Sequence, residues 1–326
     1  MRKDGAVTSR VPVSGSQFEL VAGEYRATIA SVGATLRRLT FAGRDLVVPF
    51  AEDEVRPFFR GAVLAPWPNR VIDGRYAFDG EARQLSLTEP PRGHALHGLA
   101  AWLDWRPVDD EATRPADRVS LRTVVEAQPG YPHRIALTTT YSLDENGLTT
   151  TVEAVNTGDS AAPYGTGPHP YLVAGPGRVD EWFLDLPASD VFTFTGERLI
   201  PDALVDVATA DDGTFDFRDP RPIGSTFIDH AFTSLTSDDD TDDAAATPTF
   251  TVRVLTADGS GAAITWGAEL PWVQVHTADQ PVAELDRIGL AVEPMTCPPD
   301  AFNSGTDLVV LAPEGSHAAS WTIFAL

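Results

Sequence analysis

The chain has 326 residues, 43% of them hydrophobic, enough to bury a large core in one big β domain or in two ordinary ones. Asp and Glu outnumber Lys and Arg 47 to 24, the formal net charge is -23, and Lys3 is the only lysine. A field so acidic repels polyanions before contact, which excludes nucleic acid and anionic membrane surfaces as partners and leaves neutral ligands as the natural expectation.

The N-terminus, "MRKDGAVTSRVPVSGSQ", lacks the apolar block of a signal peptide, and no apolar run is long enough to span a bilayer. A soluble, cytoplasmic protein with a flexible segment over 1–18 is expected. The single cysteine, Cys297, excludes an intrachain disulfide and reads as a small buried residue. From there on, period-2 stretches rich in Thr, Val and aromatics recur, each closed by turn chemistry. "APWPNRVIDG" (65–74) sets Trp67, Asn69 and Arg70 among prolines, and "RYAFDGEARQLSL" (75–87) reads as a hairpin turning at Asp79-Gly80. "RGHALHGLAAW" (92–102) spaces His94 and His97 three apart, which without cysteines or a second pair is weak support for a metal.

"IALTTTYSLDENGLTTTVEAVN" (135–156) is a second hairpin, turning at Asn146-Gly147. In "GTGPHPYL" (165–172) a proline on each side of His169 stiffens the backbone, so the imidazole is aimed. "STFIDHAF" (225–232) carries Asp229, and residues 237–247 read as a solvated acidic loop between two strands. "FTVRVLTADGSGAAITW" (250–266) is a third hairpin with Asp258-Gly259 in its loop; Asn-Gly and Asp-Gly supply the positive φ of tight turns. "PWVQVHTAD" (271–279) is a strand with Gln274 and His276 on one face. In "LAVEPMTCPPDAFN" (290–303), Glu293 ends an apolar run, and glutamate is almost never fully buried unless paired or functional. No segment keeps a 3.6-residue period over the ~10–12 residues of an ordinary helix. The expected architecture is all-β: one large antiparallel β-sandwich over 1–326.

His169 and Glu293 are suited to acid and base work, each followed by proline, and Arg, His, Asp and Gln are available as hydrogen-bond partners. With Trp67, Trp102 and Tyr171 as aromatic faces, this inventory suits a neutral polyol.

In order and wording these motifs resemble the aldose 1-epimerase (galactose mutarotase) family from about residue 20 to the end: Asn69-Arg70 before "IDGRYAFDG", then "ALHG", "GYPHRIALTTTYSL", "HPYL", "DHAF", "VQVHTAD" and "EPMTCPPDAFN". The resemblance implies a β-sandwich of the galactose mutarotase-like supersandwich type. It also implies interconversion of the α and β anomers of a free aldose such as glucose or galactose, without cofactor or metal. It carries the general acid to His169 and the general base to Glu293, and substrate binding to Arg70, His97, Asp229 and Gln274, with Asn69 and Trp67 beside them. An imidazole titrating near pH ~6.5 would let His169 hold a proton at neutral pH.

Departures place the chain in a divergent branch: Pro168 stands where asparagine is usual, "LHGG" is "LHGL", and "APEGSH" makes Glu314 a surface turn residue. The alternatives are a hexose-6-phosphate 1-epimerase served by Arg75, Arg83 and Arg92, a non-catalytic sugar-binding module, and a glycosidase pairing Asp229 with Glu293. A sugar is the expected partner of a monomer or homodimer.

Overall fold

The computed structural model describes residues 10–238 and 248–326. Nine strands form the larger sheet, in spatial order Arg106–Pro107, Arg118–Val125, Ile135–Asp144, Gly147–Asn156, Ser316–Ala325, Gly261–Gly267, Thr249–Leu255, Phe183–Asp185 and Arg221–Pro222. Six form the second: Tyr171–Leu172, Leu290–Met295, Trp272–His276, Asp229–Leu235, Ala188–Thr195 and Ile200–Asp206. A four-stranded sheet runs from Gln17–Ala22 to Arg44–Asp45, and the ladders within all three sheets are antiparallel.

One apolar cluster joins the sheets, with Leu137, Val152 and Ile264 from the larger and Phe232, Val273, Val275 and Val292 from the smaller. The alternation read from sequence produces it. Along Ile135–Asp144 and Gly147–Asn156, buried residues alternate with more accessible ones, and the threonines on the other face pair across strands, as Ser120 with Thr140 and Thr149 with Thr322.

The hairpin at 75–84 turns at Asp79 and Gly80, both at positive φ, as expected. The second hairpin is shifted by one residue from its expected turn: Asp144 pairs with Gly147, so Glu145 and Asn146 form the tip and Gly147 already belongs to the strand. Asp144 stabilises that tip by accepting from the Asn146 amide. Gly259 lies in the loop of the third hairpin, where the Asp258 carboxylate accepts from Thr256 and Ser260.

The expected flexibility of 1–18 is corrected over its second half. Gln17 and Phe18 open the first strand, and Ser14 is buried and donates to the Glu52 carbonyl; residues 1–9 lie outside the described residues. Most of the acidic 237–247 segment lies outside them too, and its described flanks, Asp229–Leu235 and Thr249–Leu255, are strands. The α-helix among the described residues is the single turn Ala301–Ser304, and no helix among them is long and apolar enough to cross a membrane.

Where the site forms, the chain is packed backbone on backbone. Gly98 (φ +71°) bridges Ala65, and a Cβ there would lie 2.2 Å from the Ala65 carbonyl oxygen. Both the left-handed φ and the clash oppose any side chain, so Gly98→Ala is expected to cost more than ~1 kcal/mol. An unchanged urea midpoint in that variant would contradict the close approach.

Candidate active site

Period-2 geometry puts alternate residues of three neighbouring strands on one face of the six-stranded sheet. Gln274 pairs with Glu293 on one side and Ala231 on the other; one step along, His276 pairs with Ala291 and Asp229. The intervening Val273, Val275 and Val292 face the core. Four polar side chains, Glu293, Gln274, His276 and Asp229, thus share a surface whose reverse is apolar. That explains why an apolar run can end in a glutamate that is only 1% exposed.

His169 comes from the chain crossing between strands Gly167–Pro168 and Tyr171–Leu172. Its amide donates to the Ala62 carbonyl and its carbonyl accepts from the Gly61 amide, so the flanking prolines give up no bond the segment needs. The ring is held by other rings: Tyr171 stacks at 5.2 Å and Phe59 at 6.3 Å, while His97 meets it edge-on at 5.0 Å. Its Nε2 lies 3.4 Å from Glu293 Oε1.

Asn69 and His97 both take positive φ, and the His97 amide donates to the Asn69 carbonyl, locking the two loops together. Arg70 is 7% exposed; its Nε and Nη2 donate to the two oxygens of Glu89 at 2.8 and 3.1 Å, and Nη2 lies 3.8 Å from Asp229 Oδ2. Gln274 Nε2 donates to Asp229 Oδ1 at 2.7 Å.

These groups enclose a cavity of about 350 Å³. That is at the lower end of the ~300–1,000 Å³ of small-molecule pockets. Asn69, Arg70, His97, His169, Asp229, Gln274 and Glu293 all line it. Trp67 does not. This corrects its expected sugar contact: its ring packs against Tyr131 and Phe302 in the core and its Nε1 donates to the Ala95 carbonyl. Trp102 stays outside as well, packed on Phe59 and beneath Arg56. Of the three arginines considered for a phosphate, Arg92 alone reaches the cavity.

His94 is committed elsewhere, with Nδ1 accepting from the Asp73 amide and Nε2 donating to the Arg198 carbonyl. Asp300 accepts from the Ile72 amide and Asn303, a structural tie between the helical turn and the Arg70 segment. Cys297 is buried, which pushes its thiol up to about 12. Glu314 is exposed in a turn at φ +62°.

Sequence reasoning missed Glu89, Phe59 and, as a site residue, His276. Only His276 carried a signal, by sharing a strand face with Gln274. Glu89 sits in "TEPPRG", where a carboxylate reads as surface, and only the long-range pairing with Arg70 buries it.

Burial drives the electrostatics. It lifts the Glu293 carboxyl well above the ordinary range, with the Asp229 charge adding to the effect and Arg70 opposing it. It lowers His169 to about 3, helped by His276. The expectation of an imidazole titrating near neutrality is therefore corrected: desolvation holds the ring neutral. Asp229 and Glu89, though buried, are kept below their usual values, the first by His276 and Arg70, the second by Arg70 and Arg92. Among the described residues, His97 Nδ1, His169 Nδ1, Gln274 Oε1 and Glu293 Oε2 are buried with no hydrogen-bond partner. Such groups are costly to leave unmet, and four on residues that line one cavity make it a place for a ligand that can hydrogen-bond.

The aldose 1-epimerase family model matches residues 16–323, and the chain belongs to that family. It is 37% identical to the uncharacterised Escherichia coli protein YihR over 95% of this chain and 94% of that one. It is 29% identical to rat (Rattus norvegicus) galactose mutarotase, over 64% of this chain and 62% of the relative. Among solved structures, an aldose epimerase homologue from Caenorhabditis elegans superposes with TM-score 0.79 at 20% identity, covering 95% of this chain and 98% of its own. Those sheets repeat the fold.

Unfolded, a histidine takes its proton near pH ~6.5. Folded, His169 stays neutral down to about 3, and His97 and His230 are shifted the same way by burial. Their contribution to stability is complete above the unfolded value and is lost as pH falls through that window. Glu293, raised, acts oppositely and loses its contribution as pH climbs. The urea midpoint is expected to decline from pH 6.5 to 4, with a shallower slope in His169→Asn; an identical slope would mean that His169 is not held neutral.

Proposed function

We propose that the protein is an aldose 1-epimerase that interconverts the anomers of a free hexose by acid-base ring opening. The observation that carries this reading is the 3.4 Å approach of His169 Nε2 to Glu293 Oε1 at the floor of a polar cavity. The two oxygens that exchange protons in mutarotation, the anomeric hydroxyl and the ring oxygen, share one carbon, so their acid and base must be neighbours.

The pair needs one proton between them. Glu293 protonated beside neutral His169, and Glu293 carboxylate beside imidazolium, are the same proton on either side of a short gap. Burial by the protein favours the neutral arrangement. Sugar hydroxyls donating to Glu293 favour the carboxylate, and the proton then resides on His169.

Glu293 takes the proton of the anomeric hydroxyl as His169 gives one to the ring oxygen. The bond from the anomeric carbon to the ring oxygen breaks and the aldehyde forms. After rotation about the bond between the aldehyde carbon and C2, the former ring oxygen re-forms its bond to the opposite face of the aldehyde carbon, giving its proton back to His169 as Glu293 returns its own to the carbonyl oxygen. The residues end as they began, and no other reagent is consumed. Arg70, Asp229, Gln274 and His97 present donors and acceptors to the remaining hydroxyls, and the partnerless atoms of His97 and Gln274 gain partners on binding.

Polarimetry of freshly dissolved α-glucose and α-galactose tests the reading. Glu293→Gln and His169→Asn are each expected to lower kcat by ~10²–10⁴ with little change in KM. Equilibration no faster than in buffer for every common aldose would sink it, and sugar binding without turnover would instead identify a binding module.

A hexose 6-phosphate is the second reading, supported by Arg92 on the cavity wall. That guanidinium already donates to Glu89 and to the Glu197 carbonyl, and acidic side chains outnumber basic ones around the cavity, so the free sugar is favoured. The rate on glucose is expected to exceed that on glucose 6-phosphate; the reverse order, abolished by Arg92→Gln, would reverse the choice.

A further inference from the structure

The Arg70 guanidinium has three carboxyl groups in reach of its charge, yet its close hydrogen bonds go to Glu89 and not to Asp229 or Glu293. Its Nε and Nη2 edge is closed on Glu89, whereas Asp229 stands off at 3.8 Å and Glu293 acts on it only through space. Nη1 has just a 3.4 Å contact with Asn69 Oδ1. The fork geometry leaves that nitrogen, and the unbonded Asp229 Oδ2, for a ligand.

Glu89 can hold this position because its backbone is fixed. Its carbonyl accepts from the amides of Arg92, Gly93 and His94, and its amide and that of Thr88 donate to the His94 carbonyl, so the residue opens a closed turn. Arg92 Nη1 then donates to Oε1 at 2.8 Å, which leaves Glu89 between two guanidinium groups with both oxygens engaged. A carboxylate held so rigidly, and 9% exposed, determines where Arg70 points.

We propose that Glu89 is a positioning residue for the epimerase reaction: by binding one edge of Arg70 it keeps that guanidinium off Asp229 and Glu293, leaving both carboxyl groups to the sugar. Without Glu89, the freed edge of Arg70 would close on Asp229, the nearest remaining anion, and remove an acceptor that a hydroxyl needs. The loss of one negative charge and the release of one positive charge act in the same direction on Glu293, favouring its carboxylate. The inference rests on the reading of Arg70 and Asp229 as sugar-contacting groups.

The test is Glu89→Gln, which keeps the shape and removes the charge, with Glu89→Asp as the conservative control. In Glu89→Gln, KM is expected to rise about tenfold or more with a much smaller change in kcat. The alkaline limb of the pH–rate profile should move down by about one unit, because an unbalanced arginine favours the ionised carboxyl. Glu89→Asp, which keeps the charge, should restore the pH limb more fully than KM.

Titration of Glu293 by carbon NMR on glutamate-labelled protein reads the same shift without turnover. If wild-type protein equilibrates no aldose, the epimerase reading fails, while the NMR titration still reports whether Glu89 governs Glu293. A Glu89→Gln protein with lowered thermal stability but unchanged KM, pH limb and Glu293 titration would overturn the inference, leaving Glu89 as a structural tie.

Discussion

The structure turns on a carboxyl group withdrawn from water. Glu293 sits on the strand next to one edge of the six-stranded sheet, with the hydrophobic core behind it and a cavity in front. A charged carboxylate in that place would need compensation that Arg70 supplies only in part. Burial therefore keeps the proton on, and the adjacent His169 is kept neutral by the same desolvation. The strand order, the crossing at His169 and the loops carrying Arg70 and His97 serve to bring polar groups to that one carboxyl. The same isolation from solvent makes the ionisation of the pair depend on whatever polar groups stand beside it.

Charge around the cavity is arranged in pairs. Arg70 with Glu89, and Gln274 with Asp229, are bonded before any ligand arrives, so few side chains need to reorganise. This order is set by β-ladder register on one side and by loop turns on the other. Both are backbone devices, which explains how the site tolerates the departures from family wording. Pro168 replaces a residue with an amide, but it pairs with Val63 where that amide is not required, and the His169 backbone is held by Gly61 and Ala62.

Much of this was legible in the sequence, where local chemistry dictates the outcome. Alternation gave strands, Asp-Gly gave the first hairpin turn, and an unexplained glutamate at the end of an apolar run gave Glu293. Errors arose where the outcome depends on pairing between distant segments. Asn146-Gly147 has the composition of a turn centre, yet the register between the two strands draws Gly147 into the ladder. Trp67 is three residues from Arg70, but Tyr131 and Phe302 supply an aromatic pocket on the core side that its ring fills instead. Glu89 was invisible because prolines and a neighbouring arginine make its surroundings look like surface. The ionisation of His169 could not be read at all, since it depends on how completely the folded chain excludes water.

The His169 wall includes Phe58 and Phe59, whose φ angles of +46° and +57° are ones that bulky residues avoid, at ~1–2 kcal/mol each. Phe59 lies against both His169 and His97, so this awkward backbone is what brings a ring to the imidazole. Engineering for heat resistance would target such a segment first, since glycine relaxes it at once. Here that repair would exchange ring alignment for robustness: the segment that weakens the fold is also the one that keeps the imidazole from turning.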